Sequence, residues 1–578
     1  MDLTHLYRSP HDPNIEKDLE NSNQKRAAFA KKYAQQSDYL RSESLLLEAL
    51  TDYEQLLNDL SGAKPLMYFS YLTAIESNNI TAHAKLNKIT TQLTKAYNQL
   101  AFFPVQLGKI DPALQSRFLA STSLSRYHYF LRNRFELAKY DLEENQEKIV
   151  NLYEQTGYQM WVEGVEKTLN NLTVSWQGKS WPLSQAMQTV AQLPTAQRRS
   201  LHRKILTKAS SLKAFAESEL NAIVTHKAIE DDLRGLKKPY LSRVLAAEND
   251  PVAVETLVET VTQSFNLSHR FYQIKAKLLK LDKLEYADRN AKIETNSYTY
   301  SFTNAQKLIE NTFHSLSPQF QEILHRLIEK GQTDIFPRKN KTAGAFCSSS
   351  TNNPTYVLLN YIDDLDSVTT FAHEFGHAIH SELSKSQPVH YQHYSTSLAE
   401  TASTFFEQLV FNSLVAKLPA HDRLMVLHNK IQDDINTVFR QIALFNFELE
   451  LHQHIRDRGY LDCDQIGQLL NKHMASYLGP SVSLSKLDGR FFILWPHIRN
   501  FFYTYTYAFG HLVSKVLVQR IKQKPKAIDG VIALLSAGSR DKPENLLKEA
   551  GIDLSQPQFF QEAIRTIETE IEQLEKMA

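Results

Sequence analysis

Glycine and proline are scarce in this chain. It has 17 Gly and 19 Pro among 578 residues, each about 3% of the total, against about 7% and 5% in average globular proteins. Both residues interrupt helices, so their scarcity favours helix over sheet. Apolar residues also recur at three-to-four spacing between Leu40 and Leu60, the period of an amphipathic helix. The sequence predicts a mostly helical protein, with room for three or four domains or one large multi-lobed body.

Local signals refine this picture in the N-terminal part. Asn14 follows Pro13 and precedes early acidic residues, which predicts the start of a helix. Two long helices are predicted to form a hairpin around Gly62–Pro65. The segment 102–125 predicts a break with a short strand, and helix is expected again over 126–172.

Two segments predict small β-structures. The alternating run 172–182 with a central glycine predicts a hairpin, and so do the two β-rich runs that flank the Ser/Asn/Pro loop 348–354. Pro194 and Thr195 open a further helix. We therefore expect an N-terminal helical lobe at 1–195 and a second domain at 196–578.

The charge balance and the cysteine count exclude several classes of protein. Lys+Arg total 65 and Asp+Glu total 64, so the chain lacks the basic excess of a dedicated nucleic-acid binder. The sequence contains no run of 18 apolar residues, so it predicts no membrane span, and the first residues lack the features of a secretory signal. The two cysteines, Cys347 and Cys463, suit a reducing cytoplasm better than a disulfide-stapled secreted fold.

The segment from Phe371 to His380 carries the clearest chemical signal. His373 and His377 are four residues apart, so on a helix both imidazoles lie on one face and can bind one zinc ion. Glu374 follows the first histidine and can reach a metal-bound water rather than the metal. This is the HExxH arrangement of zinc peptidases. The alternative is a helix with two structural histidines.

A catalytic zinc needs a third protein ligand and one open position. The HExxHxxGxxH pattern fails here, because position 380 is His and position 383 is Leu. Glu382 lies on the wrong face of the same helix. Glu400 lies 23 residues after His377, beyond a loop, on a second predicted helix, which makes it the first candidate. His390 and His393 compete as ligands from the loop.

Two further residues are expected to support the metal ligands. Glu407 lies seven residues after Glu400, on the same helix face, and can buttress a ligand histidine. The alternative for Glu407 is a solvent-exposed acid or a helix-pairing salt bridge. His380 lies three residues after His377 and is expected to pack behind the ligands, since a fourth ligand would close the open position.

The HExxH motif and Glu400 together resemble those of the thimet-oligopeptidase and oligoendopeptidase F family of zinc peptidases. Further segments resemble the oligoendopeptidase F branch, and they span the chain: Asp2–Tyr7, Phe118–Ser121, Lys341–Cys347 and Pro496–Tyr507. The resemblance implies a mostly helical, two-lobed body with a deep channel and a small β-sheet beside the zinc helix. It implies cytoplasmic cleavage of short peptides, with His373, His377 and Glu400 as ligands of one zinc ion and Glu374 as the base.

The resemblance also gives roles to the aromatic segment near residue 500. The family uses a histidine and tyrosines from this region as donors to the transition state and substrate, and such donors stabilise an oxyanion. His497 is the first candidate, followed by Tyr505 and Tyr503, with Tyr507 as a substrate contact. The alternative for each tyrosine is packing in the core.

A substrate-binding edge is predicted at Gly344, Ala345 and Phe346. An extended peptide that adds to an exposed strand gains main-chain hydrogen bonds that do not depend on its sequence, and glycine permits close approach. The alternative is an ordinary hairpin near the site.

We therefore expect a cytoplasmic zinc endopeptidase that acts on short unfolded oligopeptides and binds neither nucleic acid nor membrane. A zinc carboxypeptidase of similar architecture and a non-enzymatic helical protein with an accidental HExxH remain alternatives. The sequence leaves open the oligomeric state and the choice of zinc over cobalt or manganese.

Overall fold

The computed structural model describes residues 1–293, 299–554 and 556–578, and α-helices dominate these residues, as predicted. The helices are α1 (Asn14–Tyr33), α2 (Glu43–Leu57), α3 (Ala63–Ile75), α4 (Ile80–Asn98), α5 (Phe102–Gly108), α6 (Pro112–Leu119), α7 (His128–Leu137), α8 (Glu144–Glu154), α9 (Met160–Asn170), α10 (Leu183–Thr189), α11 (Thr195–Ala209), α12 (Lys213–Leu233), α13 (Leu241–Ala246), α14 (Pro251–Gln263), α15 (Phe265–Leu278), α16 (Phe302–Leu316), α17 (Pro318–Glu329), α18 (Leu365–Ser384), α19 (Thr396–Val415), α20 (Ala420–Asp434), α21 (Arg440–Arg458), α22 (Cys463–Leu478), α23 (Phe491–Leu494), α24 (Tyr505–Gln523), α25 (Ile528–Ser536), α26 (Pro543–Glu549) and α27 (Pro557–Met577).

The strands are short and form three small sheets. They are β1 (Thr173–Trp176), β2 (Lys179–Pro182), β3 (Leu284–Glu285), β4 (Thr333–Asp334), β5 (Phe346–Ser348), β6 (Tyr356–Leu358) and β7 (Val482–Ser483). Strands β1 and β2 form the hairpin predicted at 172–182, and β5 and β6 form the one predicted around the loop 348–354. The sheet order β4-β6-β5 leaves β5 as an edge strand.

The described residues group into two compact units, each built from three stretches of chain. The first unit comprises Met1–Asp141, Tyr298–Leu414 and Leu517–Gly551, and the second comprises Leu142–Ser297, Val415–Val516 and Ile552–Ala578. The HExxH helix α18 and helix α19 up to Leu414 belong to the first unit. The aromatic segment 496–507 belongs to the second. The division at residue 195 stays a sequence prediction.

Two predictions in the N-terminal part are wrong in detail. The pattern read as one long helix after Gly62 is two helices, because the chain breaks at 76–79 and the Asn79 side chain caps α4 by accepting from the Ala82 N–H. The segment 102–125 contains α5 and α6 and, among its described residues, no strand. Phe103 and Leu107 share one face of α5 and are fully buried in an aromatic cluster of the first unit.

Other predictions are confirmed. Helix α1 begins at Asn14 after Pro13, and α11 begins at Thr195 after Pro194. No sequence pattern predicted the two-residue parallel pair β3–β7. Among the described residues, no helix has the length and apolar composition needed to cross a bilayer.

Candidate metal centre

Helix α18 presents the HExxH residues. The helix begins after Asp364, whose side chain accepts a hydrogen bond from the Ser367 N–H at 2.8 Å. The fully buried side chains of Phe371, Ala372 and Phe375 fix one face of the helix in the core of the first unit. The two motif histidines are then set one turn apart.

The predicted ligands come together in the structure. The rings of His373 and His377 lie 5.0 Å apart, and His373 Nε2 lies 3.8 Å from Glu400 Oε2. One donor atom from each of these three residues lies within 4.8 Å of the other two. Two imidazoles and a carboxylate are the donor set of a catalytic zinc site.

Glu407 contacts the first candidate ligand, as the seven-residue spacing predicts. His373 Nδ1–H donates to Glu407 Oε2 at 2.8 Å, which leaves Nε2 for a metal. Burial acts to lower the pKa of His373, but the bond to Glu407 and the nearby carboxylates of Glu374 and Glu400 outweigh it and raise the pKa to about 9. Burial and the charge of His373 lower the pKa of His377 to about 3, so this imidazole is neutral, the form that binds metal.

Replacing Glu407 with glutamine is expected to weaken zinc binding by about 10–100-fold. Glutamine keeps the size of the side chain, but its weaker dipole no longer fixes the His373 tautomer or increases the basicity of Nε2. Competition with a zinc chelator measures the change. An affinity equal to that of the wild type would contradict the orienting role.

Gly376, between the two histidines, lets α19 approach α18 closely. A Cβ at this position would lie 2.7 Å from Ser403 Cα and 3.0 Å from Ala402 O, both on the backbone of α19. Real Cβ atoms do not approach backbone atoms this closely, so only glycine allows this helix crossing. This close crossing brings Glu400 and Glu407 within reach of the histidines of α18. No role for Gly376 was predicted from the sequence.

The Gly376→Ala variant is expected to lose about 1–3 kcal/mol in the free energy of unfolding, because the added methyl overpacks the crossing. Zinc affinity is expected to fall as well, since α19 carries one ligand. The matched control is Gly530→Ala in α25, where a Cβ would have only ordinary contacts, the nearest at 3.5 Å. Urea unfolding and chelator competition on both variants test this, and equal stabilities would contradict it.

Glu374 is buried beside the ligands and the edge strand. The residue is 8% exposed, and the Cys347 N–H of β5 lies near its carboxylate and acts to lower its pKa. Burial, with a further contribution from Glu400 and an opposing one from His373, raises the pKa of Glu374 to about 7. A carboxyl group with a pKa in this range can both accept and return a proton near neutral pH.

A cavity of about 560 Å³ in the first unit borders this group. His373, Glu374 and Glu407 line it on one side, and Gly344 and Ala345 line it on another. Gly344 has a φ of +84°, a conformation that favours glycine, and its carbonyl accepts from Asn360 Nδ2 at 2.7 Å. Two of the three residues of the predicted substrate-binding edge therefore border the same space as Glu374.

The third of these residues and the competing ligands are placed elsewhere in the first unit. Phe346 packs against a hydrophobic cluster. His390 lies among Tyr53, Tyr127 and Phe130, and neither it nor His393 joins the group of donor atoms. Glu382 pairs with Arg326 and Lys385. His380 is buried and stacks on Tyr394 with ring centroids 3.6 Å apart, and it does not belong to the group of donor atoms.

In the second unit, His497 and two tyrosines form one cluster, and the third tyrosine lies apart. Tyr503 Oη and His497 Nδ1 are 2.5 Å apart, and the rings of both residues contact the ring of Tyr507. Tyr505 is fully buried, and its hydroxyl donates to Asn249 Oδ1 at 3.0 Å. This placement favours a packing role for Tyr505.

The backbone between His497 and Tyr503 is strained. Phe501 and Phe502 have φ values of +36° and +57°, which cost bulky residues about 1–3 kcal/mol each. We call residues 499–503 the aromatic elbow. Its conformation is held by a buried bidentate pair between Arg499 and Glu219, at 2.7 and 2.9 Å, and by the Phe502 N–H, which donates to Glu448 at 3.1 Å.

Glu219 and Glu448 were not predicted from the sequence, because no local spacing connects them with residue 500. Both carboxylates are fully buried, and burial raises the pKa of each above its ordinary value. The role of a buried acid of this kind can be recognised only when its partners in the fold are known.

The chain resembles known peptidases along most of its length. The model of the family described as peptidase family M3 matches residues 193–566, and that of oligopeptidase F matches 106–173. The chain is 28% identical to oligopeptidase PepF of Bacillus subtilis over 59% of its length, which spans about half (52%) of that relative. It is 24% identical to an oligoendopeptidase F homolog of Borreliella burgdorferi over 92% of this chain and 91% of that one.

A solved structure from Chlamydophila abortus shares the fold. It superposes with a TM-score of 0.86 at 22% sequence identity and covers 100% of this chain and 98% of its own. The family match covers more than half of the chain and includes α18, α19 and the aromatic elbow. The chain belongs to peptidase family M3, as its resemblance to the oligoendopeptidase F branch predicted.

Proposed function

We propose that this protein is a zinc-dependent endopeptidase that hydrolyses internal bonds of short, unstructured oligopeptides. The observation that carries the proposal is the group of donor atoms from His373, His377 and Glu400, with Glu374 beside it and Glu407 behind it. Family membership supports peptide hydrolysis by a metal-dependent route.

Zinc fits this group better than magnesium or calcium. Two imidazoles and one carboxylate suit zinc, whereas magnesium and calcium prefer oxygen ligands alone. Three protein donors also leave one position open. When bound, zinc would lower the pKa of water and polarise the scissile carbonyl.

Glu374 is proposed as the general base and acid. It would take the proton of the attacking water and return it to the leaving amine, two roles that suit the raised pKa of a buried carboxyl group. The Cys347 N–H of β5 lies near its carboxylate and favours the charged form.

The free edge of β5 is proposed to pair with the substrate backbone. Gly344 and Ala345 continue this edge into the cavity that the base also borders. Main-chain pairing requires an extended peptide and selects little by sequence. This supports unstructured oligopeptides as substrates, and the length limit rests on the family resemblance.

His497 and Tyr503 are proposed as donors to the oxyanion, on the family resemblance. Within their unit, burial and the charge of Arg440 lower the pKa of His497, and burial raises that of Tyr503. Each change favours the neutral side chain, and a neutral tyrosine or imidazole can still donate a hydrogen bond. A cytoplasmic location is proposed on the two unpaired cysteines.

Digestion of blocked peptides tests the proposal. Peptides of about 5 to 20 residues, acetylated at the N-terminus and amidated at the C-terminus, are incubated with zinc-loaded protein, and the products are read by mass spectrometry. Internal cuts, together with one zinc bound through His373 and His377, are expected. Removal of C-terminal residues from the same peptides with free C-termini, but not from the amidated ones, would favour a carboxypeptidase. A protein without this zinc and without cleavage would be a helical binding protein.

A further inference from the structure

A second group of metal-binding side chains lies in the second unit. Glu154, His226 and Glu230 each offer one donor atom within 4.8 Å of the other two. His226 and Glu230 are four residues apart on α12, and Glu154 ends α8. None of the three belongs to the HExxH centre, and the proposed function assigns them no role.

The imidazole of this group is held in a fixed position. His226 Nε2 lies 3.0 Å from Glu154 Oε2, and its ring rests against Gly157, where a Cβ would lie only 2.4 Å from Nδ1. Gly157 belongs to a π-helical turn, Gln155–Gln159, that directly follows Glu154. Such turns are rare interruptions of α-helices and are frequently found at functional sites. The glycine and the turn together point the imidazole at Glu154.

The charges around the group are compatible with a bound cation. Arg234 donates its Nε–H to Glu230 Oε1, which leaves the second oxygen of that carboxylate for another partner. The nearby Lys227 pairs with Asp231. An imidazole and two carboxylates match the donor set of zinc and similar first-row divalent ions, and the donor spacing in a zinc tetrahedron is about 3.3 Å.

The same group borders the supports of the aromatic elbow. The lining of a cavity of about 190 Å³ includes the three residues of the group, together with Lys227, Tyr158, Arg243 and Phe501. From the π-helical turn, the Tyr158 hydroxyl donates to the Arg499 carbonyl at 2.6 Å. Arg243 donates to the carbonyls of Asn500 and Phe501 at 2.9 and 3.3 Å.

We propose that Glu154, His226 and Glu230 form a second divalent-cation site, and that its occupation changes the aromatic elbow through Tyr158. A cation would replace the direct contact between His226 and Glu154 and shift Glu154 relative to α12, and the turn that carries Tyr158 would move with it. The strained backbone at Phe501 and Phe502 depends on these carbonyl contacts, so it would respond. The effect on catalysis rests on the proposed function, whereas the binding site does not.

Metal stoichiometry tests the site without any measurement of activity. Metal-free protein is dialysed against micromolar free Zn²⁺, and the number of zinc ions per chain is then measured by elemental mass spectrometry. We expect two ions per chain in the wild type, and one in Glu154→Gln, in His226→Gln and in the double variant His373→Ala/His377→Ala. The control is His325→Gln, which breaks a similar 2.9 Å pair with Glu310 and should still bind two. The conservative Glu154→Gln change keeps the test valid if His226→Gln does not fold.

One ion in the wild type, or two in both Glu154→Gln and His226→Gln, would overturn the proposed site. The coupling is tested by titrating Zn²⁺ against blocked-peptide cleavage. We expect the kcat of the wild type to fall as the second ion binds, and that of His226→Gln to stay constant. An equal response of both proteins would overturn the coupling. A wild type that binds two ions but cleaves nothing would refute the proposed function and keep the site.

Discussion

Replacing Glu374 with glutamine is expected to lower kcat for peptide cleavage by about 10²–10⁴-fold and to leave zinc bound. The amide has the size of the carboxylate, but it cannot take a proton from water. The metal ligands His373, His377 and Glu400 are unchanged. Initial rates on an internally quenched peptide, with metal analysis of the same samples, give both quantities.

The matched control is Glu382→Gln, on the same helix. Glu382 is also largely buried, but it pairs with Arg326 and Lys385 and has no place among the donor atoms. The kcat of the Glu382→Gln variant is expected to equal that of the wild type, even if the variant is less stable. Full activity in Glu374→Gln, or an equal loss in both variants, would contradict the assignment of the base.

The Arg499→Met variant is expected to lose about 3–5 kcal/mol in the free energy of unfolding. Arg499 and Glu219 are 3% and 0% exposed, so removing the guanidinium leaves a buried carboxylate without its partner. The pair also fixes the aromatic elbow, so kcat should fall together with stability. Urea denaturation measures the first effect, and blocked-peptide cleavage the second.

A double variant separates the lost pair from the lost side-chain volume. Arg499→Met combined with Glu219→Leu removes both charges, and it should recover much of the stability, because no buried charge is left unpaired. The exposed pair of Arg270 with Glu575 is the surface control, and Arg270→Met should cost less than about 1 kcal/mol. Equal losses in the two single arginine variants would contradict the argument.

Much of the metal centre could be predicted from the sequence, because its residues lie at short, regular spacings on two neighbouring helices. Four-residue spacing sets His373 and His377 on one helix face, and seven-residue spacing does the same for Glu400 and Glu407. The loop between the two helices was long enough for the chain to turn back. The role of Gly376 escaped the argument, because it depends on how close a second helix lies.

The fold predictions failed where packing overrides local signals. Phe102, Phe103 and Pro104 suggested a break with a strand, yet α5 forms because Phe103 and Leu107 complete a buried aromatic cluster. The supports of the aromatic elbow come from positions 280 and 54 residues away, and no motif connects them. The sequence does not distinguish Tyr505 from Tyr503 and Tyr507, and only its full burial in the structure does.

The crossing at Gly376 sets a rule for anyone who wishes to build this centre into an unrelated scaffold. Ordinary helix pairs pack with their axes about 8–10 Å apart. Here a glycine three residues after the first histidine faces a serine, Ser403, three residues after Glu400. A designer who grafts the histidines and the glutamates but keeps large side chains at these two positions will hold the ligands too far apart. The transplanted centre therefore needs its two small residues as much as its ligands.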